Sequence, residues 1–378
     1  MSEPAENSIA DLLNAIQRDM ARQGIDLLLA FHDGAHFIEK PNSVMVLSGF
    51  KSLGHALAIL PRAGDAALVV TPSWDVERAA DTSRSKNTLG ANDLVSALAD
   101  YLARHPIDPS RAATAGLGSM PRTIEGRVTQ LLRGQPRAAE KIVFGNARRK
   151  TAEQIARARR AAEIAEKGYS RLLEIARPGL REDELAVELQ LYMKSLGAED
   201  NFLMLCAGPH NRAVQPSSGR RLEMGDIILA EITPSYRGQM AQICRTAVLG
   251  QASDTLRQGY DLVVDSMQQG IAAALPGATM ANVCRAIDAV LEAKGYGEFC
   301  HPPHIRRRGH GLGFGSNLPG DVSIDNPTQL EPDMFFVIHP NQYLPETGYL
   351  LCGEPVLITA HEPELLSHQM ASLAEIPI

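Results

Sequence analysis

Two polar residues, Glu231 and Gln242, interrupt apolar stretches that are predicted to be β-strands. The strands cover residues 227–233 and 240–249, and a Pro-Ser-Tyr-Arg-Gly sequence with turn chemistry separates them. Strand positions that face a core seldom hold such side chains unless partners satisfy them. Two interpretations follow. Either Glu231 forms a structural ion pair with an arginine such as Arg245, or Glu231 and Gln242 face a shared polar pocket.

The composition is that of a globular protein with more than one domain. The chain has 378 residues, of which 44% are hydrophobic and 21% are charged. A net charge of −7 argues against nucleic acid as a partner. No apolar run reaches the length of a membrane span, and the acidic, polar first residues are unlike a signal peptide. We therefore expect no membrane partner and a cytoplasmic location.

The cysteines point to the same compartment. Their number is odd, they lack Cys-x-x-Cys spacing, and most lie in apolar runs. This pattern is typical of reduced core residues and disfavours a structural zinc site. The five residues are Cys206, Cys244, Cys284, Cys300 and Cys352.

The order of predicted elements divides the chain into residues 1–142 and residues 143–378. The first part alternates helices with short apolar strands, which indicates a small α/β domain with a mixed sheet. His55 lies in a mostly apolar segment of this domain, where a histidine is more often structural than functional. The strands are predicted at residues 25–31, 43–48, 56–60, 66–70, 112–116 and 141–144.

The second part contains an internal repeat of two helices followed by strands. Pro178-Gly179 breaks the first helical pair, and Pro276-Gly277 breaks the second pair 98 residues later. The glycines that end the pairs, Gly197 and Gly295, have the same 98-residue separation. Equal spacing predicts a duplication with pseudo-twofold symmetry, in which helices cover one face of a curved sheet and polar residues converge on the other.

Several motifs in this repeat resemble the pita-bread fold family, which includes creatinase, prolidase, aminopeptidase P and methionine aminopeptidase. They are GPHNRAVQPSSGRRLEMGDIILAEITPSYRGQMAQICRT, RRRGHGLGF, FFVIHP and LLCGEPVLI, in the order that the family shows. The resemblance covers almost the whole chain and implies an α+β protein. A smaller creatinase-type α/β domain would precede a C-terminal pita-bread catalytic domain.

The resemblance also implies a site. The metallopeptidases of the family hold two metal ions with two aspartates, a histidine and two glutamates. In this sequence those positions fall, in order, on Glu231, Gln242, His310, His339 and Glu354. Only His310 and Glu354 keep the family's residue type. The family's proton-shuttling histidine falls near Gln215, and His210 in the same segment is an alternative.

The altered residues decide the expected cofactor. Hard divalent ions prefer carboxylate oxygen, and this set offers only two carboxylates to balance two ions. We therefore expect a metal-independent site, as in creatinase. The alternative is one zinc-like or manganese-like ion held by Glu231, His310, His339 and Glu354, because two imidazoles and two carboxylates suit a tetrahedral site.

Without metal, histidine chemistry would have to move protons. His310 and His339 are the candidates for general acid–base work near neutral pH, with Glu354 or Glu231 orienting an imidazole or polarising water. A decayed pocket, in which His339 only fills the space of a lost ligand, is the structural alternative.

Basic and aromatic residues supply the expected substrate contacts. If strand alternation turns Arg306 and Arg308 inward with His310, a guanidinium would bind a substrate carboxylate. Creatinase binds its substrate carboxylate with arginine, and the partner subunit's N-terminal domain lends aromatic residues to its site. The resemblance therefore implies a homodimer, with Phe50 and His55 in the corresponding stretch.

Three functional hypotheses follow. The first is a creatinase-like, metal-independent hydrolase that cleaves a C–N bond in a small nitrogen-containing carboxylate such as an amidine, cyclic amidine or amide, with a C–S lyase as a variant. The second is a mononuclear metal-dependent Xaa-Pro-type peptidase or amidohydrolase with altered ligands. The third is a non-catalytic binding protein, which the ionisable set at the site argues against.

Overall fold

The computed structural model describes residues 8–34, 42–105, 107–313 and 318–378. The described residues divide into two compact units, one ending at residue 152 and the other formed by residues 153–313 with 318–378. The predicted domain division after residue 142 lies shortly before this point. In the described part of the chain, no helix is both long and apolar enough to cross a bilayer.

The first unit is built on a mixed six-stranded sheet in the order β4-β3-β2-β1-β5-β6. Strand β1 is antiparallel to β2 and parallel to β5, and its residues are buried. The elements are α1 (Ile9–Arg22), β1 (Leu27–His32), α2 (Ser43–Ser48), β2 (Ala56–Pro61), β3 (Ala67–Val70), α3 (Val76–Thr82), β4 (Asn87–Gly90), α4 (Leu94–Arg104), β5 (Ala112–Ala115), α5 (Arg122–Leu131), β6 (Arg137–Ala138) and α6 (Glu140–Asn146).

Two predicted strands of this unit are helices. Residues 43–48 form α2, because the Asn42 side chain accepts a hydrogen bond from the Met45 amide and Gly49, with φ of 70°, ends the helix. Residues 141–144 lie within α6. Both segments are short and apolar, and hydrophobic periodicity does not separate a buried helix from a strand at that length.

The second unit carries the repeat. Its elements are α7 (Ala152–Ile175), α8 (Glu182–Ser195), β7 (Asn201–Gly208), β8 (Ile227–Tyr236), β9 (Gln239–Met240), β10 (Ile243–Leu249), α9 (Asp254–Ala273), α10 (Met280–Ala293), β11 (Gly309–Gly311), β12 (Phe335–Ile338), β13 (Gln342–Leu344), β14 (Gly348–Leu350), β15 (Glu354–Leu357), β16 (Glu364–Leu365) and β17 (Ala374–Ile376).

The break between the helices is built in the same way in both helical pairs, which confirms the predicted duplication. Gly179 and Gly277 both have φ of 86°, a left-handed conformation that glycine adopts without a steric penalty. Each donates its amide to a later segment of its own half. The Gly179 amide lies 2.8 Å from the Leu222 carbonyl oxygen, and the Gly277 amide lies 2.8 Å from the Leu330 carbonyl oxygen. Each half therefore ties its helical hairpin to the strands that follow.

Two sheets form the opposite layer of this unit, and helices of both halves pack on them. The order of one sheet is β17-β10-β8-β7, and the order of the other is β11-β12-β15-β16. Apolar residues of α7 and α8 share a core with the first sheet, whereas α9 and α10 share a core with the second.

The two sheets meet where Cys244 and Gly353 exchange backbone hydrogen bonds of 3.1 Å. A Cβ atom at Gly353 would lie 2.6 Å from the His339 Cβ and 3.0 Å from the Cys244 Cβ. Only glycine therefore lets the backbones approach this closely. The junction brings residues of β8, β10, β12 and β15 together.

We expect Gly353→Ala to destabilise the protein by about 1–3 kcal/mol, because the added methyl group must displace backbone-attached atoms. Gly219→Ala is the matched control, since nothing lies within 4 Å of its added Cβ. Urea unfolding of the three proteins measures the difference. Equal stability of Gly353→Ala and wild type would contradict the tight junction.

Candidate functional site

Glu231 lies in the middle of β8, opposite Cys244 of β10 and Met204 of β7. Its neighbours Ala230 and Ile232 are fully buried. Within the described residues its carboxylate accepts no hydrogen bond, and burial raises its pKa to about 7, while the positive charge of Arg307 opposes the shift. The structural ion pair with Arg245 is therefore not formed, and Glu231 presents an unclaimed carboxylate.

Gln242 lies directly before β10 and is buried. Its Nε2 is 3.5 Å from the Cys244 sulfur, so the amide oxygen faces the other way. Because Cys244 is opposite Glu231 in the strand ladder, Glu231 and Gln242 lie beside the same residue. The shared polar pocket of the two side chains stays a prediction.

His310 is held in β11 between two glycines. Its Nδ1 is 3.0 Å from the Gly311 carbonyl oxygen, which can only accept, so Nδ1 carries the proton and Nε2 keeps a lone pair. Burial lowers the pKa of His310 to about 4, and the nearby charge of Arg307 adds to the shift. At neutral pH His310 is therefore an uncharged imidazole with an acceptor nitrogen.

His339 follows directly after β12. Its ring meets the His310 ring edge to face, with 5.2 Å between the centroids. Burial, followed by the His310 and Arg307 charges, holds the pKa of His339 well below its ordinary value. The structure therefore brings His310 and His339 together as two neutral imidazoles.

Glu354 is fully buried, and other residues of the protein already bind its carboxylate. Its two carboxylate oxygens lie 3.0 and 3.1 Å from Nη2 of Arg245, which is also buried. The Ser367 hydroxyl and the Ala371 amide donate to the same carboxylate at 2.5 and 2.6 Å. The expected catalytic role of Glu354 is therefore not supported by this geometry, because its acceptor positions serve a structural ion pair.

The arginine run is arranged differently from the prediction. Arg308 is buried in the core, where its Nε lies 2.7 Å from an Asp288 oxygen, and Arg306 is exposed. Strand alternation fails here because β11 begins only at Gly309, whose φ of 154° interrupts the extended run. The charge that acts on Glu231 and both site histidines is that of Arg307.

Arg307 is one of the residues that the sequence analysis missed. Its Nη1 lies 3.0 Å from an Asp321 oxygen, and Asp321 forms a backbone bridge with His310. Tyr349 is another, since burial, followed by the negative charge of Glu231, raises its pKa. In the sequence, the only indication that Arg307 lies near the site is its closeness to His310. The sequence gives no such indication for Tyr349.

The remaining predicted substrate contacts differ in their exposure. Gln215 and His210 are exposed, and the His210 Nε2 is 3.0 Å from the Pro345 carbonyl oxygen. In the first unit, Phe50 is buried beneath the Arg78 guanidinium, whose central carbon lies 4.4 Å from the ring centroid. Phe50 is therefore not available to a partner subunit. His55 is half-buried, and its carbonyl oxygen accepts from Thr71.

The two-ion centre that the resemblance implies does not fit these side chains. Glu354 is closed by Arg245, and an amide and an imidazole stand at two carboxylate positions. Among residues 8–34, 42–105, 107–313 and 318–378, no three carboxylate, imidazole or thiol groups come together as a metal site. Any ligand set among these residues would therefore include other donors, such as an amide oxygen.

One divalent ion fits the donors better. The Glu231 carboxylate, the Gln242 amide oxygen and the His310 Nε2 are oxygen and nitrogen donors that no described residue occupies. The motif resemblance predicts that they fall on the family's first, second and third ligand positions. One carboxylate, one amide oxygen and one imidazole suit a single ion whose other positions are taken by water or substrate.

Comparison with known proteins identifies relatives. Residues 156–360, more than half of the chain, match Metallopeptidase family M24. The uncharacterized peptidase YqhT of Bacillus subtilis is 30% identical over 227 residues, which are 59% of this chain and 63% of that protein. The Xaa-Pro dipeptidase of Pyrococcus furiosus is 29% identical over 221 residues, which are 58% and 62% of the two chains. The matches thus span less than two thirds of either relative.

Solved structures agree on the fold. The prolidase of Pyrococcus horikoshii superposes with a TM-score of 0.82 at 22% identity, covering 96% of this chain and 99% of that one. The X-Pro aminopeptidase of Thermotoga maritima gives a TM-score of 0.82 at 20% identity, with coverages of 96% and 99%. At these identities the similarity confirms the pita-bread fold and does not identify a substrate.

The family match corrects the expectation about cofactors. The altered ligand set predicted a site without metal, whereas the matched family is one of metallopeptidases. The expectation of no metal cofactor is therefore wrong, and the metal-independent, creatinase-like hypothesis loses its basis. The sequence match over residues 156–360, together with the shared fold, shows that this chain belongs to metallopeptidase family M24.

Proposed function

We propose that this protein is a metal-dependent peptidase or amidohydrolase that cleaves a C–N bond in a small peptide or amide, with one divalent ion held by Glu231, Gln242 and His310. Family membership supports the reaction class, and the three unclaimed donor atoms support the ligand set. When bound, such an ion polarises the substrate carbonyl and lowers the pKa of water. The observation that carries the proposal is that Glu231 and Gln242 both lie beside Cys244. Cys244 pairs with Gly353, which adjoins His339 and thereby the His310–His339 pair.

The other site groups have roles that follow from their charge and burial. Glu231 supplies the single negative charge of the ligand set, and His310 stays neutral because its pKa is about 4. Arg307, whose Nη1 is paired with Asp321, provides a positive charge that acts on Glu231 and on both histidines, and this charge attracts an anionic substrate group. The site therefore favours a small substrate that carries a carboxylate near the bond to be cleaved.

Relatives guide the choice of substrates. The Pyrococcus furiosus relative is an Xaa-Pro dipeptidase, so dipeptides with a C-terminal proline are the first to test. The same dipeptides with an amidated C-terminus remove the carboxylate and keep the scissile bond. Measuring kcat/KM for matched pairs, with the ion quantified by mass spectrometry, tests both parts of the proposal. Hydrolysis that persists in metal-depleted protein would refute the metal-dependent reaction.

Binding of the ion should depend on pH through Glu231. Burial places the pKa of Glu231 at about 7 in the metal-free protein, and the ion requires the ionised form. Mn²⁺ affinity is therefore expected to rise about tenfold per pH unit up to about pH 7 and to level off above it. His310 adds nothing in this range because its pKa is about 4.

Calorimetric titration of chelator-treated protein with Mn²⁺ between about pH 5.5 and 8.5 measures this dependence. In Glu231→Gln the pH dependence should vanish together with most of the affinity. An affinity that is constant over the range in wild-type protein would show that Glu231 is not a ligand.

The assembly and location of the protein stay predictions. The homodimer expected by resemblance is tested by sedimentation equilibrium of the purified chain. Because Phe50 is buried, we do not propose that it contributes to the site of a partner subunit.

A further inference from the structure

Asn341 has an unusual backbone conformation for its residue type. It lies between β12 and β13, is buried, and has φ of 26°. Glycine enters this left-handed region without a penalty, whereas other residues are uncommon there and asparagine is among the better tolerated. A buried asparagine at such a position calls for an account of its side chain.

The Asn341 amide joins a backbone group to a site histidine. Its Oδ1 accepts a hydrogen bond of 3.1 Å from the Cys352 amide. Its Nδ2 lies 3.3 Å from Nδ1 of His339. Because a backbone N–H can only donate, the amide oxygen must face Cys352, and this fixes the orientation of the whole side chain.

This orientation sets the tautomer of His339. The Nδ2 group of an asparagine carries hydrogens and only donates, so at this contact the His339 Nδ1 accepts, in competition with the residue's own backbone carbonyl, which favours a proton on the ring. In a neutral imidazole the proton then lies on Nε2. The neighbouring His310 has the opposite tautomer, because its Nδ1 faces the Gly311 carbonyl oxygen at 3.0 Å. The pair thus presents one acceptor nitrogen and one donor N–H from rings whose centroids are 5.2 Å apart.

We propose that Asn341 is a positioning residue that locks His339 as an Nε2–H donor, and that this N–H binds the carbonyl oxygen of the scissile bond and the oxyanion that develops from it. The role in catalysis rests on the proposed hydrolytic function, whereas the tautomer rests on the hydrogen bonds alone. A protonated Nε2 has no lone pair for a metal ion. The same contact therefore separates His339 from the ligand set and leaves that role to His310.

A fixed neutral donor suits this task. Hydrogen-bond donors that are already oriented toward a developing oxyanion lower the barrier without reorganisation, and losing one costs about 10²–10³ in kcat. His339 is buried, so its N–H acts where water competes little. The substrate group assigned to it is an amide carbonyl, which a donor recognises and an acceptor repels.

Two substitutions separate the side chain from the backbone. Asn341→Gly keeps access to the left-handed conformation and removes the amide. Asn341→Asp keeps the size and leaves the side chain with acceptor oxygens only, so His339 must turn its proton to Nδ1. The matched control is Asn282→Asp, since the Asn282 Oδ1 accepts from Thr279 at a helix start and a carboxylate can do the same.

The first readout is the tautomer itself, measured by long-range ¹H–¹⁵N correlation on protein with ¹⁵N-labelled histidine, with His339→Gln to assign the signal. Wild type and Asn282→Asp should show Nε2–H at residue 339. Asn341→Asp should show Nδ1–H, and Asn341→Gly should show a mixture. Nδ1–H in wild type, or an unchanged tautomer in Asn341→Asp, overturns the proposal regardless of any activity.

The second readout is kinetic. Asn341→Asp should lower kcat about 10²-fold with KM within about threefold, and Asn341→Gly should fall between it and wild type. A switched tautomer with unchanged kcat would overturn the catalytic role and keep the positioning role. If no peptide is hydrolysed by wild type, the proposed function fails, and the tautomer measurement still decides whether Asn341 sets His339.

Discussion

Replacing His310 by alanine is expected to lower Mn²⁺ affinity by more than about 100-fold and peptide hydrolysis by about 10³-fold or more. The imidazole supplies the only nitrogen donor in the proposed ligand set. Mutating a residue that merely hydrogen-bonds to a metal ligand already lowers metal affinity or activity about 10–100-fold. Glu231→Gln should have a comparable effect, since it removes the only charged ligand. Calorimetry and metal quantification measure the binding of the ion, and kcat/KM measures peptide hydrolysis, on the same preparations.

Surface residues of the same types serve as controls. His361 and Glu298 are both exposed, so His361→Ala and Glu298→Gln should retain the affinity and activity of wild type. If His310→Ala kept full occupancy of the ion while losing activity, His310 would be a proton carrier and not a ligand. If His310→Ala kept both the occupancy of the ion and the activity, the metal site would lie elsewhere in the protein.

Replacing Glu354 by glutamine is expected to lower the free energy of unfolding by about 3–5 kcal/mol. The change leaves the buried Arg245 guanidinium without its counter-charge, and an uncompensated buried charge is strongly destabilising. The ion should still bind to the folded protein, because Glu354 is not among the proposed ligands. Urea unfolding monitored by circular dichroism gives the first quantity, and metal quantification gives the second.

A double variant and an exposed pair sharpen this result. Arg245→Met with Glu354→Gln removes both charges and should recover part of the lost stability. Glu174→Gln breaks an exposed pair with Arg171 and should change stability by less than about 1 kcal/mol. A small loss in Glu354→Gln that comes with loss of the ion would instead identify Glu354 as a ligand.

The fold could be predicted because its signals are local and repeated. Gly179 and Gly277 lie at the equivalent breaks of the two helical hairpins, and their spacing in the sequence is enough to reveal the duplication. The strand that carries Glu231 and the strand that follows Gln242 were likewise visible as apolar runs interrupted by polar residues. Short apolar segments such as residues 43–48 were less certain, because a capping side chain from Asn42 made a helix of them.

The site could be located from the sequence, but the roles of its residues could not. Motif order placed His310 and His339 together, as the structure does. The partner of Arg245 is 109 residues away in the sequence, so no local pattern distinguished Glu354 from Glu231 as its counter-ion. The side of the chain on which Arg306 and Arg308 lie depended on where β11 begins, and the backbone of Gly309 decided this.

The expected absence of metal failed for a related reason. That expectation rested on the number of carboxylates at the five predicted ligand positions, which were taken as one ligand set. The structure separates them, since Glu354 is occupied by Arg245 and Asn341 turns His339 into a donor. The three that remain form a smaller set, which suits one ion where the family's residues suit two.

The distance in sequence between Arg245 and Glu354 also matters while the protein is being made. Arg245 leaves the ribosome 109 residues before its partner, an interval of roughly 5–20 seconds at common rates of synthesis. Ser367 and Ala371, which complete the same cluster, follow later still. The first sheet of the second unit therefore cannot complete its packing around the Arg245 guanidinium while that part of the chain is being synthesised. Nascent chains of this protein should present an open, chaperone-accessible sheet until the last strands are released.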